Sequence, residues 1–321
     1  MKTLRILWTL SLFSGIFLVS CSKKNSDPPP APVPPVVLPD TLSTGWTKTI
    51  LNADFSNNDV MFSNNQTGYL GGTKGFYKTV NGGVTWDSLS NVWFFNLAVT
   101  SNGNVYCTQQ NNILKSIDGG KSFTTFLLQE PSSDIFFTGN DTGYASSLLG
   151  KVFRTTNQGD NWQVLTTLSP FGDTYTTLYF LNDQYGWAAF GSSIYKTNGN
   201  SANWKKCNIT TTGTVMSIFA ITPTIIFAGC NNGEVFKSTD GGENFALVKN
   251  FGGSYFTDIH FVNEQTGYLS HGTKIYKTTD GGNSWIPVVA LGQGMFIEIH
   301  FTDATHGWAC GDKGLAMRYS G

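Results

Sequence analysis

The stretch Tyr276-Lys277-Thr278-Thr279-Asp280-Gly281-Gly282-Asn283-Ser284-Trp285 constrains this chain more than any other, because it recurs. Altered copies run Thr79 to Trp86, Ser116 to Phe123, Thr155 to Trp162, Thr197 to Trp204 and Ser238 to Phe245. Their leading Ser or Thr residues, at 79, 116, 155, 197, 238 and 278, are spaced by 37, 39, 42, 41 and 40 residues. A period near 40 that carries four short strands is the period of a propeller blade. The 36 glycines and the 13% of charged residues suit many short strands joined by tight turns.

A second element precedes each box. Asp59 to Tyr69 and Asp258 to Tyr268 share one frame: an inner strand, a polar turn ending in glycine, and a second strand opening on an aromatic residue. Asp134 to Tyr144, Thr177 to Trp187 and Glu298 to Trp308 fit it closely, and Asn96 to Tyr106 and Ser217 to Phe227 more loosely. Seven such units stand against six boxes. The missing outer strand is assigned to the other end of the chain, where Gly45-Trp46-Thr47-Lys48-Thr49-Ile50 reads like a strand that follows a box. Pairing it with the last unit hides both free sheet edges. The expected fold is therefore an all-β, seven-bladed β-propeller of four-stranded antiparallel blades over residues 45–321, closed by an N-terminal strand that completes the last blade.

Within the box, each position has a physical reading. Asp280 accepts from amides of its own turn, Gly282 permits a positive φ, Thr278 adds a hydroxyl bond, and Trp285 buries a ring between blades. Asp118 and Asp240 repeat the aspartate, Asn81 and Asn157 preserve its cap, and Gly199 loses it. This pattern resembles the Asp-box, or BNR, repeat of sialidases and related propellers. With Phe-x-Asn/Asp-x-x-x-Gly-Tyr/Trp ahead of the box, it resembles more closely the photosystem II assembly/stability factor family of seven-bladed propellers. The resemblance implies that the boxes are structural and lie at the outer turns. It also implies a protein-binding role. Nothing in the chain identifies a phototroph, and arginine is too scarce for a basic docking patch.

At the N-terminus, Lys2 and Arg5 precede an apolar run from Ile6 to Val19 that is too short to span a bilayer comfortably. Leu18-Val19-Ser20-Cys21 looks like a lipobox. Residues 1–20 are expected to be a cleaved lipoprotein signal peptide and Cys21 the lipidated first residue. Residues 21–44, with prolines at 28, 29, 30, 32, 34, 35 and 39, read as a spacer. In extended polyproline II geometry they reach about 70 Å. The expected location is the cell envelope, on the outer membrane if the host is Gram-negative, because Ser22 and not Asp follows the cysteine.

Candidate chemistry is limited. Sialidase action would require three arginines clamping a carboxylate. Beyond Arg5, the chain has only Arg154 and Arg318. The inner strands open on a polar ring: Asp59, Asn96, Asp134, Thr177, Ser217, Asp258 and Glu298. Two residues along, on the same strand face, stand His260 and His300. Asp258, His260, Glu298 and His300 could hold a metal or act as acid and base, and the acidic mouth (Asp59, Asp134, Asp258, Glu298) could bind a ligand. The favoured reading is structural: a polar residue repeated in every blade serves something every blade needs, such as capping strand-entry amides. Elsewhere the His260 position holds Met61, Ala98, Phe136, Tyr179 and Phe219, which marks it as mainly a packing position. Cys107, Cys207, Cys230 and Cys310 show no zinc spacing and are expected as buried thiols.

Taken together, the sequence predicts a lipid-anchored, non-enzymatic scaffold with a protein partner at the envelope and no cofactor. A formal net charge of -1 gives no overall field for nucleic acid. The alternative is a glycan-binding or glycan-hydrolysing propeller that uses the acidic channel mouth.

Overall fold

A computed structural model describes residues 39–321, apart from 170–174, 199–202, 254 and 256. The signal segment, Cys21 and Gly199 lie outside the described residues. Seven separate antiparallel sheets follow one another along the chain. Their innermost strands are Asn57–Phe62, Leu97–Val99, Ser132–Phe137, Thr176–Phe180, Val215–Ala220, Thr257–Phe261 and Phe296–Asp303, which begin blades 1 to 7. Among the described residues no helix is long and apolar enough to cross a membrane.

Closure takes the expected form. Trp46–Ile50 pairs antiparallel with Leu315–Ser320, from Trp46 opposite Tyr319 to Ile50 opposite Leu315, and becomes the outer strand of blade 7. A further piece of N-terminal chain is also ordered. Thr41–Leu42, in the segment read as spacer, adds a fifth strand to blade 6 beside Ile286–Ala290. Asp40 fixes this strap: its carboxylate accepts from the Gly292 amide at 2.8 Å and pairs with Lys48 at 2.7 Å.

Among the described residues no sheet ladder runs from one blade into the next; besides single main-chain bonds such as Ser132 N–H to the Gln110 carbonyl at 2.6 Å, Val215 N–H to Gly191 at 2.8 Å and Phe296 N–H to Gly272 at 2.9 Å, side chains hold the ring together. In five of the seven blades the phenylalanine near the end of the inner strand (Phe62, Phe137, Phe180, Phe261 and Phe301) is the centre of the seam, and Val99 and Ala220 stand there in blades 2 and 5. On one side the aromatic residue that opens the preceding blade's second strand stacks on it: Trp308 on Phe62 (3.5 Å between centroids), Tyr106 on Phe137 (4.0 Å), Tyr144 on Phe180 (3.7 Å) and Tyr268 on Phe301 (4.0 Å). On the other side the box tryptophan of its own blade meets it edge-on: Trp86 on Phe62, Trp162 on Phe137 and Trp285 on Phe261. The glycine before the stacked aromatic belongs to this seam. A Cβ at Gly267 would lie 2.6 Å from the Phe261 ring, so a side chain there would displace the ring.

Trp46 makes the edge-on contact in blade 7, with Phe301 at 6.2 Å and 80° between ring planes. The closing strand thus supplies the tryptophan that the absent seventh box would have carried. Trp46 is 5% exposed and packs with Tyr268, Phe296, Phe301 and Met317. Trp46→Ala is expected to cost about 3–5 kcal/mol, as for other buried Trp-to-Ala changes. Chemical denaturation of the full chain measures this, and a loss below about 1 kcal/mol would disprove a closing role for the ring.

Candidate functional site

The five fully described boxes lie in the turns between the third and the outer strand of their blades and are closed on themselves. In blade 6 the Gly282 and Asp280 amides donate to Thr278 Oγ1 at 2.9 and 3.3 Å, and Thr278 donates to Asp280 Oδ1 at 2.8 Å. Ser284 N–H completes the turn on Asp280 Oδ1 at 2.9 Å. Asp118, Asp240, Asn81 and Asn157 repeat the pattern, with Ser122, Asn244, Thr85 and Asn161 amides as donors. Gly281 and Gly282 take φ of 68° and 83°, as the turn requires. These bonds hold the Asp240 and Asp280 carboxyls at about 2. In each case side-chain and backbone donors favour the ionised form.

The box is also a docking point for the preceding blade. Tyr106 Oη donates to the Gln158 carbonyl at 2.8 Å, and Trp308 Nε1 to the Gly82 carbonyl at 2.9 Å. A basic residue stands directly before the box position in all seven units: Lys78, Lys115, Arg154, Lys196, Lys237, Lys277 and Arg318. Lys115 reaches Asp160 at 2.6 Å in the next box; Lys196 and Lys237 donate to the Gly241 and Gly281 carbonyls at 3.1 and 2.8 Å. Lys237 also lies over the Phe227 ring, and Arg154 lies over Tyr144. The sequence carried this signal as a sevenfold column of Lys or Arg, but attention to the Asp-Gly core of the box passed over it.

At the axis the polar ring assembles around a cavity of about 380 Å³. Asp59, Asp134, Asp258, Glu298, His260 and His300 all line it. Three of the acids clasp neighbouring blades. Asp59 Oδ2 accepts from Leu97 N–H of blade 2 at 2.7 Å. Asp134 accepts from Ile135 at 2.7 Å and from Leu178 of blade 4 at 2.6 Å. Asp258 accepts from Ile259 at 2.8 Å and from Ile299 of blade 7 at 2.9 Å. An inner strand with no strand beyond it leaves amides facing the axis, and each buried amide needs an acceptor. The strand-entry cap therefore acts between blades as well as within one.

The second ring does similar work. The Tyr179 hydroxyl donates to the Ala220 carbonyl of blade 5 at 3.2 Å, and Val99 N–H meets Met61 Sδ at 3.2 Å. His260 and His300 face the Phe301 and Phe62 carbonyls of the next blade. Packing and stitching coincide at this position.

Burial dominates the electrostatics of the axis. It raises Asp134 to about 6 and pushes Asp59, Asp258 and Glu298 upward, with mutual repulsion adding to Asp59 and Glu298. Glu298 lies within hydrogen-bonding reach of Asp258. Among the described residues no three His, Cys, Asp or Glu side chains converge on a point able to hold a metal ion, so the metal reading of Asp258, His260, Glu298 and His300 has no geometric support. Tyr175, which the repeat alignment does not single out, also lines the cavity. Cys107, Cys207, Cys230 and Cys310 are all buried.

An Asp-box propeller of seven blades, with three of its axial acids joining neighbouring blades, is the class that this fold and axis define. The sequence profile described as photosynthesis system II assembly factor YCF48 matches residues 38–320, and the chain belongs to that family. Solved relatives agree in fold. A YCF48 bound to D1 peptide superposes with a TM-score of 0.73 at 21% identity, covering 91% of this chain and 100% of that one. YCF48 from Cyanidioschyzon merolae gives 0.72 at 20% identity, covering 86% and 99%. A catalytically inactive virginiamycin B lyase from Staphylococcus aureus, with quinupristin, gives 0.70 at 14% identity, covering 86% and 99%. No protein of curated function matches the sequence.

Two outcomes test this description. Thr278→Val keeps the shape but removes the acceptor of two turn amides, and should cost about 1–3 kcal/mol in denaturant unfolding. His300 is held near 4, from an ordinary 6.5, by burial. Between those values the unfolded chain takes up a proton that the folded chain refuses, so this group removes stability as pH falls from 6.5 to 4. Asp134 acts in the opposite sense: protonated in the folded state from about 6 downward, it adds stability as pH falls toward 3.8. His300→Gln should therefore flatten the acid side of the melting temperature against pH; an unchanged profile would show that His300 is not buried neutral.

Proposed function

We propose that this protein is a lipid-anchored, extracytoplasmic, non-enzymatic scaffold that binds a protein partner at the cell envelope. Membership of the YCF48 family over residues 38–320 carries the reading. A relative solved with D1 peptide supports a peptide or protein as the partner class. The axis adds to it: Asp59, Asp134 and Asp258 each accept a backbone amide of the neighbouring blade and so serve the ring's own cohesion. Lipidation at Cys21 and the Pro-rich spacer that follows place the ring away from the membrane surface, and the expected address is the outer membrane of a Gram-negative host.

Crosslinking in intact cells followed by co-purification tests both parts. The parent chain should sediment with membranes and retain one envelope protein, whereas Cys21→Ala should be released in soluble form. Sedimentation of Cys21→Ala with membranes would remove the anchor, and absence of any crosslinked protein would remove the scaffold.

A further inference from the structure

The axial cavity holds more than the clasps between blades require. Phe136, Tyr179, Phe219, His260 and His300 form an unbroken aromatic arc over blades 3 to 7, with successive centroids 5.4, 5.0, 4.7 and 5.5 Å apart. Two residues earlier on three of the same strands stand Asp134, Asp258 and Glu298, so a band of carboxyls overlies a band of ring faces. Among the described residues no lysine or arginine lines the space. His300 Nε2 is buried in the wall without a hydrogen-bond partner. Burial keeps that imidazole neutral, and a neutral imidazole offers an acceptor nitrogen. A volume of about 380 Å³ admits a small organic group and not a folded element.

We propose that the channel is a binding site for an organic ammonium group carried on a short apolar stem. The ammonium sits among Asp134, Asp258 and Glu298, and the stem lies against Phe136, Tyr179 and Phe219. Two arguments favour this chemistry over an anion or a neutral ligand. Carboxyls are crowded without a counter-charge, and a cation relieves their mutual repulsion. Aromatic rings attract a cation through their quadrupole and accept the methylenes behind it. The group has two possible sources: a free alkylamine, or the lysine side chain of a partner. The site stands or falls independently of the scaffold reading.

Calorimetric titration of the full chain distinguishes the cases. The probes are n-pentylammonium, its neutral isostere n-pentanol, and a short lysine peptide with its acetyl-lysine twin. The amine should bind at least tenfold more tightly than the alcohol, and Glu298→Gln should weaken the amine by roughly tenfold. The amine–alcohol comparison uses the unaltered protein, so it holds even where the variant misfolds. Binding of the amine without the lysine peptide identifies a free organic cation, and preference for the lysine peptide over its acetylated twin identifies a partner's side chain. Equal binding of amine and alcohol, absence of binding by both amine and lysine peptide, or an unchanged amine affinity in a folded Glu298→Gln variant overturns the proposal.

Discussion

The ring depends on what happens between blades. The sheet ladders pair strands within a blade, and they leave inner-strand amides such as those of Leu97, Leu178 and Ile299 to be met by the neighbouring blade. Cohesion comes from a repeated side-chain joint with three levels. Near the axis, a carboxylate or hydroxyl bridges to an amide of the next inner strand. Midway, an inner-strand phenylalanine is stacked from one side and met edge-on from the other. At the outer turns, a lysine or aromatic side chain reaches the next box. Burying the ring faces supplies most of the attraction, since each large aromatic removes some 150–250 Å² from water. The polar bonds at either end fix how neighbouring blades are rotated and spaced.

This joint explains which parts of the fold were legible in the sequence. Six boxes, five Gly-aromatic pairs and seven polar strand starts recur because the seams use them repeatedly, so counting copies gave seven blades. Closure was legible for the same reason, since Trp46 has the flanking pattern of a strand after a box. The strap at Thr41–Leu42 was not. Two residues paired on an edge have no periodicity, and the prolines around them favour an extended chain of any kind.

The axis was legible as a position and not as an arrangement. Asp59, Asp134, Asp258 and Glu298 could be placed on one ring by register alone. Whether their oxygens face a ligand or an amide depends on how far each strand leans toward its neighbour, which no residue pattern encodes. Glu298 shows the point. It shares the ring position with three acids that accept amides, yet its described partner is another carboxyl. The basic column from Lys78 to Arg318 shows the reverse: fully periodic, it becomes meaningful only when seen to reach the following blade.

The pairing of Trp46–Ile50 with Leu315–Ser320 has a consequence in time as well as in space. Thr47 and Arg318 are bonded across 271 residues of chain. The closing strand and its partner are therefore far apart in the chain, whereas the four main strands of each of the other blades follow one another directly. Contacts so distant in sequence form slowly because the intervening chain must first be ordered. Until then two strand edges stay open, the condition in which strands most readily pair with the wrong molecule. A protein built this way reaches its native ring only when that last pairing is made.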